Sequence, residues 1–267
     1  MTSLIAWVAV DRSPSALYFA SDSRISWGSL YNWDFGSKLF YVNNYPDIFG
    51  YCGDVLFPSQ ILSRVVALIN SNSLFSEHDS SEDKFNKIKG VIISAFNSYP
   101  KEEPLPFSIL HGTRIGNSIT CKFELRSLNW DSINGFITKT HTIPNTSSLI
   151  SSFGSGKKIL DENNHFWQKT EIKSTSRSVY IAFCDALKTH KDPYTGGAPQ
   201  LVTIQRDSSS KPLGVIFDGQ QFISGLKVDN HFNKSVFQWY NECFENCDPD
   251  TGLILPWAQK QPRPRNT

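Results

Sequence analysis

A threonine directly behind the first methionine carries the most pointed chemistry in this sequence. Thr2 follows Met1, the single methionine of a 267-residue chain. Methionine aminopeptidase generally removes a first methionine when the next residue is small. Its removal would give Thr2 a free α-amino group. A hydroxyl is a weak nucleophile until a base takes its proton. An α-amino group titrates near about 7.7–8.0, so at neutral pH it can be that base. On this reading Met1 is a propeptide one residue long, and its loss creates nucleophile and base together. Many chains begin Met-Thr, so the pair needs company elsewhere in the sequence.

Other catalytic chemistries find little support. There is no G-x-S-x-G elbow, H-E-x-x-H helix, Walker loop or Rossmann glycine fingerprint. The six histidines (His78, His111, His141, His165, His190, His231) show no metal spacing. Cys243 and Cys247 stand four apart, which would put both on one helix face, but no second ligand pair accompanies them. No metal and no cofactor is therefore expected. Five scattered cysteines, an odd number, read as reduced thiols of a cytoplasmic protein.

The company Thr2 needs lies in five blocks: Phe19-Ala20-Ser21-Asp22-Ser23-Arg24, Gly36-Ser37-Lys38-Leu39-Phe40, Phe49-Gly50-Tyr51-Cys52-Gly53-Asp54, Phe153-Gly154-Ser155-Gly156 and Asp192-Pro193-Tyr194-Thr195-Gly196-Gly197. In this order the sequence resembles the proteasome β-subunit superfamily of N-terminal-nucleophile hydrolases. It looks most like the bacterial ancestral-beta-subunit branch, with the bacterial heat-shock-locus ring protease further away. No single block is specific. Their separations are: Asp22 to Lys38 is 16 residues and Ser155 to Asp192 is 37, both as in proteasome β-subunits.

The resemblance implies roles. Thr2 would be the nucleophile and its amine the base. Asp22 would orient Lys38, whose charge disfavours a protonated amine nearby and stabilises a developing alkoxide. The Gly50 N–H would form the oxyanion hole. Ser155, Asp192 and Thr195 would hold the Thr2 amine. Ser21, Ile25, Trp27 and Ser37 would line the first specificity pocket. The resemblance also implies a threonine-type endopeptidase acting on peptides or unfolded proteins, assembled as a homo-oligomer, a ring or open helical stack, with room for an unfoldase ATPase. A small-amide hydrolase of the same fold stays open, and so does a catalytically silent scaffold, although a silent subunit need not keep Asp22, Lys38, Ser155 and Asp192. The chain also departs from the pattern. The turn at 11–15 is long and the Lys38–Gly50 separation is slightly short. Thr195 replaces the usual serine, the segment 114–145 is enlarged, and the chain beyond 206 is longer than a minimal subunit.

The elements that must carry these residues are legible in outline. Residues 4–10 and 16–21 read as a hairpin, and 38–42 with 48–52 as a second strand pair. Apolar residues at helical spacing mark 58–69. A Ser80/Asp83 capping box opens a second helix with a stripe from Phe85 to Phe96. Strands follow at 107–115, 119–125 and 133–138, then helices from about 157 and over 176–189. Strands return at 201–205 and 213–217, and a last helix is expected at 233–244. Each helix pair must cover a sheet face, which two packed sheets with helices outside would satisfy, although periodicity alone permits other α+β layouts. The resemblance makes this an α+β fold, a four-layer αββα sandwich, in one domain over 1–258 with a loose tail at 259–267.

Composition removes further classes. A net charge of +1 and a pI near 7.6 leave no bulk electrostatic footprint for nucleic acid or an anionic membrane. No apolar run reaches membrane-spanning length. The run at 4–10 has no basic region ahead of it and ends at Asp11-Arg12, so no signal peptide is expected.

Overall fold

The computed structural model describes residues 2–28, 31–76, 78–100, 105–189, 191–229 and 231–258. The expected 259–267 tail lies outside them. The chain runs β1 (Leu4–Val10), β2 (Pro14–Ser21), β3 (Ile25–Trp27), β4 (Tyr31–Trp33), β5 (Leu39–Tyr41), β6 (Asp47–Gly53), α1 (Leu56–Asn70) and α2 (Ser81–Asn97). It continues through β7 (Phe107–Ile115), β8 (Lys122–Asp131), β9 (Gly135–His141), β10 (Ser148–Phe153), α3 (Lys157–Trp167) and α4 (Ser176–Lys188). The remainder is β11 (Gln200–Gln205), β12 (Ser210–Pro212), β13 (Gly214–Phe217), β14 (Gln220–Ile223), β15 (Leu226–Lys227), β16 (Trp239–Asn241) and β17 (Asn246–Cys247).

Two antiparallel five-stranded sheets form the centre, in the orders β10-β1-β2-β11-β12 and β5-β6-β7-β8-β9. Strand β1 is apolar throughout because both of its faces are buried. Leu4, Ala6 and Val8 pack with Leu17 and Phe19 of β2 against Ile48, Leu110 and Leu125 of the other sheet. Ile5 and Trp7 face the opposite way, onto Leu160 of α3 and Val179, Tyr180 and Phe183 of α4. The second sheet alternates likewise: Phe49 and Tyr51 pack with Phe107 and Ile109 beneath Ile61 and Val65 of α1 and Phe85, Ile88 and Ile92 of α2.

The helix ends follow their sequence signals. The Ser80 hydroxyl accepts the Asp83 N–H while the Asp83 carboxylate accepts the Ser80 N–H. A cap of this kind is worth about 1 kcal/mol. Thr175 caps α4 through the Ser178 N–H at 3.1 Å.

The C-terminal part departs from expectation. Residues 233–244 are not an α-helix. A short 3-10 turn, Lys234–Val236, leads into β16, which runs parallel to β13. The side chain of Asn241 accepts the N–H groups of Cys243 and Glu245, and Phe244 takes a left-handed φ of 56°. This tight turn is incompatible with helix continuation. The result is a third sheet, β15-β14-β13-β16-β17, with Trp239 fully buried in it. Cys243 and Cys247 thus share no helix face. All five cysteines are free thiols. The expected strand at 119–125 opens instead as a 3-10 turn, Ser118–Thr120, before β8, and the one at 133–138 starts later, as β9.

Among the described residues, no helix is long and apolar enough to cross a membrane.

Candidate active site

Strand β2 ends at Ser21 and delivers Asp22 into the interior, where it is fully buried. Its Oδ1 accepts the Ser3 N–H at 3.0 Å and the Lys38 Nζ at 2.8 Å. Its Oδ2 accepts the Gly196 N–H at 3.0 Å and the Arg24 N–H at 3.2 Å. Four donors fill the coordination a carboxylate offers. The Asp22 N–H in turn donates to the Ser3 carbonyl at 3.1 Å, which locks the chain beside Thr2 to the end of β2.

Lys38, just ahead of β5, has no solvent exposure. Burial pushes its amine below the ordinary lysine range, while the charge and hydrogen bond of Asp22 pull the other way. Nearby, burial pushes the Cys52 thiol up to about 11, partly opposed by the Lys38 cation.

A second network reaches the same stretch of β1 from the other side. Asp192 Oδ2 accepts the Ser155 hydroxyl at 2.7 Å and the Thr195 hydroxyl at 2.9 Å, and its Oδ1 accepts the Tyr194 N–H at 3.0 Å. Thr195 has one hydroxyl proton and gives it to Asp192. The 3.1 Å contact between Ser3 Oγ and Thr195 Oγ1 is then donated by Ser3. Gly154 has φ +88°, and a Cβ there would lie 1.9 Å from the Thr2 carbonyl oxygen. Only glycine lets this loop close over Thr2. The Gly156 N–H also faces that oxygen, at 3.4 Å. Thr2, next to the Ser3 on which both networks meet, is fully buried.

The structure therefore gathers Asp22 with Lys38, and Ser155 with Asp192 and Thr195, around Ser3, next to Thr2. Gly50 is placed differently. The Tyr51 N–H donates across to the Lys38 carbonyl at 3.2 Å, and the Asp54 N–H donates to Pro106, ahead of β7, at 3.0 Å. Strand alternation turns the Gly50 N–H toward β7, where Gly50 pairs with Leu110. Its absent side chain faces Leu39 and Leu4 in the core.

The four expected pocket residues differ in exposure. The Ser21 hydroxyl is buried and donates to the Asp22 carbonyl at 3.1 Å. Ile25 is half-buried in β3, beside Gly36. Trp27 is 58% exposed at the far end of β3, opposite Tyr31. Ser37 is exposed, and its carbonyl accepts the Tyr51 hydroxyl at 3.2 Å.

Two contributors escape a sequence reading. Ser3 links both networks, yet a serine in an apolar strand carries no signal. Arg24 forms a bidentate pair with Asp34 (2.8 and 2.9 Å) and donates to the carbonyls of Pro193 (3.2 Å) and Thr195 (3.4 Å). It ties the β3–β4 hairpin to the loop carrying Asp192. Its place two residues after Asp22 was its only clue.

No protein-family model matches the chain, and no curated protein matches it in sequence. Among solved structures it is similar to the eukaryotic HslV of Trypanosoma brucei, at 13% identity over 76% of this chain and 99% of that one, with a TM-score of 0.44.

Proposed function

We propose that this protein is an N-terminal threonine hydrolase of the proteasome β-subunit type, cleaving peptide bonds through an acyl-enzyme on Thr2. The observation that carries this reading is the convergence of two networks, the buried Asp22–Lys38 pair and the Asp192–Ser155–Thr195 set, on Ser3, the residue next to Thr2. A structural role for one such network is ordinary. Two that meet beside one threonine, with a glycine loop closed over its carbonyl, suit what a nucleophile needs: a nearby cation and a fixed backbone.

Cleavage of the Met1–Thr2 bond frees the amine. The amine takes the Thr2 hydroxyl proton as Oγ attacks the substrate carbonyl. The Lys38 cation favours the neutral amine and stabilises the developing alkoxide. Asp22, held by three backbone N–H groups, fixes Lys38 in place. The oxyanion donor in this scheme is a main-chain N–H at the end of β6. The tetrahedral intermediate expels the amine half of the substrate, which takes the proton from the Thr2 ammonium. Water activated by the same amine then hydrolyses the ester.

The three stacked apolar clusters support the four-layer αββα order for this fold, and Leu213, Val215 and Phe217 in the α3–α4 cluster support one domain across 1–258. A homo-oligomeric assembly in the cytoplasm, with peptide or unfolded-protein substrates and an unfoldase ATPase, belongs to the same proposal.

Intact-mass measurement before and after a threonine-directed epoxyketone tests it. The expected result is loss of Met1 and one adduct on Thr2, with cleavage of a peptide panel but not of small amides. Thr2→Ala should abolish both adduct and cleavage. Retained Met1, or full peptidase activity in Thr2→Ala, overturns the reading.

A further inference from the structure

Behind the Asp22–Lys38 pair lies the side-chain amide of Gln200, the first residue of β11, 1% exposed. Its Oε1 accepts the Lys38 N–H at 3.1 Å. Its Nε2 donates to the carbonyls of Asp22 at 3.1 Å and Gly36 at 2.7 Å. One side chain thus spans two segments that belong to different sheets: the end of β2, which carries Asp22, and the lead into β5, which carries Lys38. A 2.8 Å ion pair between those side chains requires their backbones to keep a fixed separation. The amide makes both ends of that separation its own hydrogen-bond partners. Both amide protons and one carbonyl lone pair are used, so the orientation of the amide is determined.

The amide is closed off by the C-terminal sheet. Gly225, in the turn between β14 and β15, has φ +81°. A Cβ there would lie 2.9 Å from Ser23 Cβ, 3.3 Å from Gln200 Cγ and 3.5 Å from Gln200 Nε2. The turn therefore needs glycine for its conformation and for its approach to the residue beside Asp22.

We infer that Gln200 is a positioning residue for the Lys38–Asp22 pair and that the Gly225 turn of the C-terminal sheet seats it, so this sheet has a role in catalysis although it contributes no reacting group. The catalytic part of this inference rests on the proposed Thr2 chemistry; the bracing of Lys38 does not. Gln200→Ala leaves the Lys38 N–H and two carbonyls unpaired in the interior. Gln200→Met keeps length and packing and removes only the hydrogen bonds.

The test uses full-length protein and two readouts: the rate of epoxyketone adduct formation on Thr2 as a function of pH, and the titration of Lys38 followed by NMR of its side-chain Cε. In both Gln200 variants with a native near-UV spectrum, adduct formation should slow about tenfold to a hundredfold. The Lys38 titration should also move. Unchanged rate and unchanged titration in a native-like variant overturn the inference. If the parent protein forms no adduct, the threonine-hydrolase reading falls, and the Lys38 titration alone decides the brace. Should the Gln200 variants not fold, Gly225→Ala and Gly219→Ala replace them. Gly219 has a similar positive φ (+71°) in a turn of the same sheet, but a Cβ there meets nothing within 4 Å. Gly225→Ala should slow the adduct and shift Lys38, and Gly219→Ala should do neither; equal effects overturn the inference.

Discussion

Two carboxylates in this molecule are fully buried and near strand ends, yet they are held in opposite ways. Asp22 is encircled by four donors, three of them backbone N–H groups. Asp47, at the start of β6, accepts one hydrogen bond on its side chain, from His111 Nε2 at 2.7 Å. Its other oxygen has no hydrogen-bond partner; Lys84 Nζ stands 3.9 Å away. The His111 ring is stacked between Phe49 and Phe85, with centroids 4.8 and 6.0 Å away. Backbone donors survive any side-chain substitution, so the Asp22 anion does not depend on Lys38 for its solvation. Asp47 depends on one imidazole. At the first carboxylate chemistry can be separated from stability; at the second it cannot.

The sharpest way to break this contrast is Lys38→Met, which keeps the stem and deletes the charge. Turnover should fall by about a thousandfold. The folding free energy should change by less than about 2 kcal/mol, because three N–H groups still hold Asp22 and the burial cost of the ammonium is relieved. Peptidase assay and urea unfolding on the same preparation decide it. A collapse of stability with the rate would put Asp22 in the same class as Asp47. His111→Ala is the mirror experiment. It should cost about 3 kcal/mol or more in urea unfolding, since the Asp47 carboxylate loses its hydrogen bond in the interior. The rate per folded molecule should stay within about twofold.

The smallest effect is read through Cys52. Burial raises its thiol from 9.0 to about 11. In the unfolded chain the thiol ionises first as pH rises, so between about 9 and 11 the folded state holds more protons. Stability therefore declines with pH across that window, by at most about 1.4 kcal/mol per pH unit. Cys52→Ala should flatten this slope in pH-dependent unfolding. Lys38→Met should move the upper end of this window to higher pH, because the cation that eases ionisation in the folded state is gone. An upper end that stays put would show that the charge beside Asp22 does not reach Cys52.

The pairing of Asp22 with Lys38, and of Ser155 with Asp192 and Thr195, was legible because these residues lie in blocks whose spacing is characteristic. The central strands and four helices were legible because β1 and β2 are continuously apolar and α2 announces its own cap. The C-terminal sheet was not. Val236, Tyr240 and Phe244 recur every four residues and imitate a helix face, but Tyr240 lies in a strand and Phe244 in a left-handed turn. Which edge of β6 each N–H serves depends on register, which a glycine in the sequence does not disclose, so the direction of the Gly50 N–H was not legible. Gln200 and Ser3 act through contacts to chain segments distant in sequence, and a lone glutamine or serine in a strand gives no sign of this.

The contact between Ser3 and Thr195 closes a span of 192 residues, and Gln200 reaches back 162 residues to Lys38. Contacts of such separation are costly to close early, and they form only after the intervening chain has organised. A growing polypeptide that has not yet emerged as far as Asp192 holds Thr2 but neither the Asp192 network nor the Gln200 brace. The order of synthesis itself thus withholds the assembled site until most of the protein exists, a temporal safeguard that needs no inhibitor.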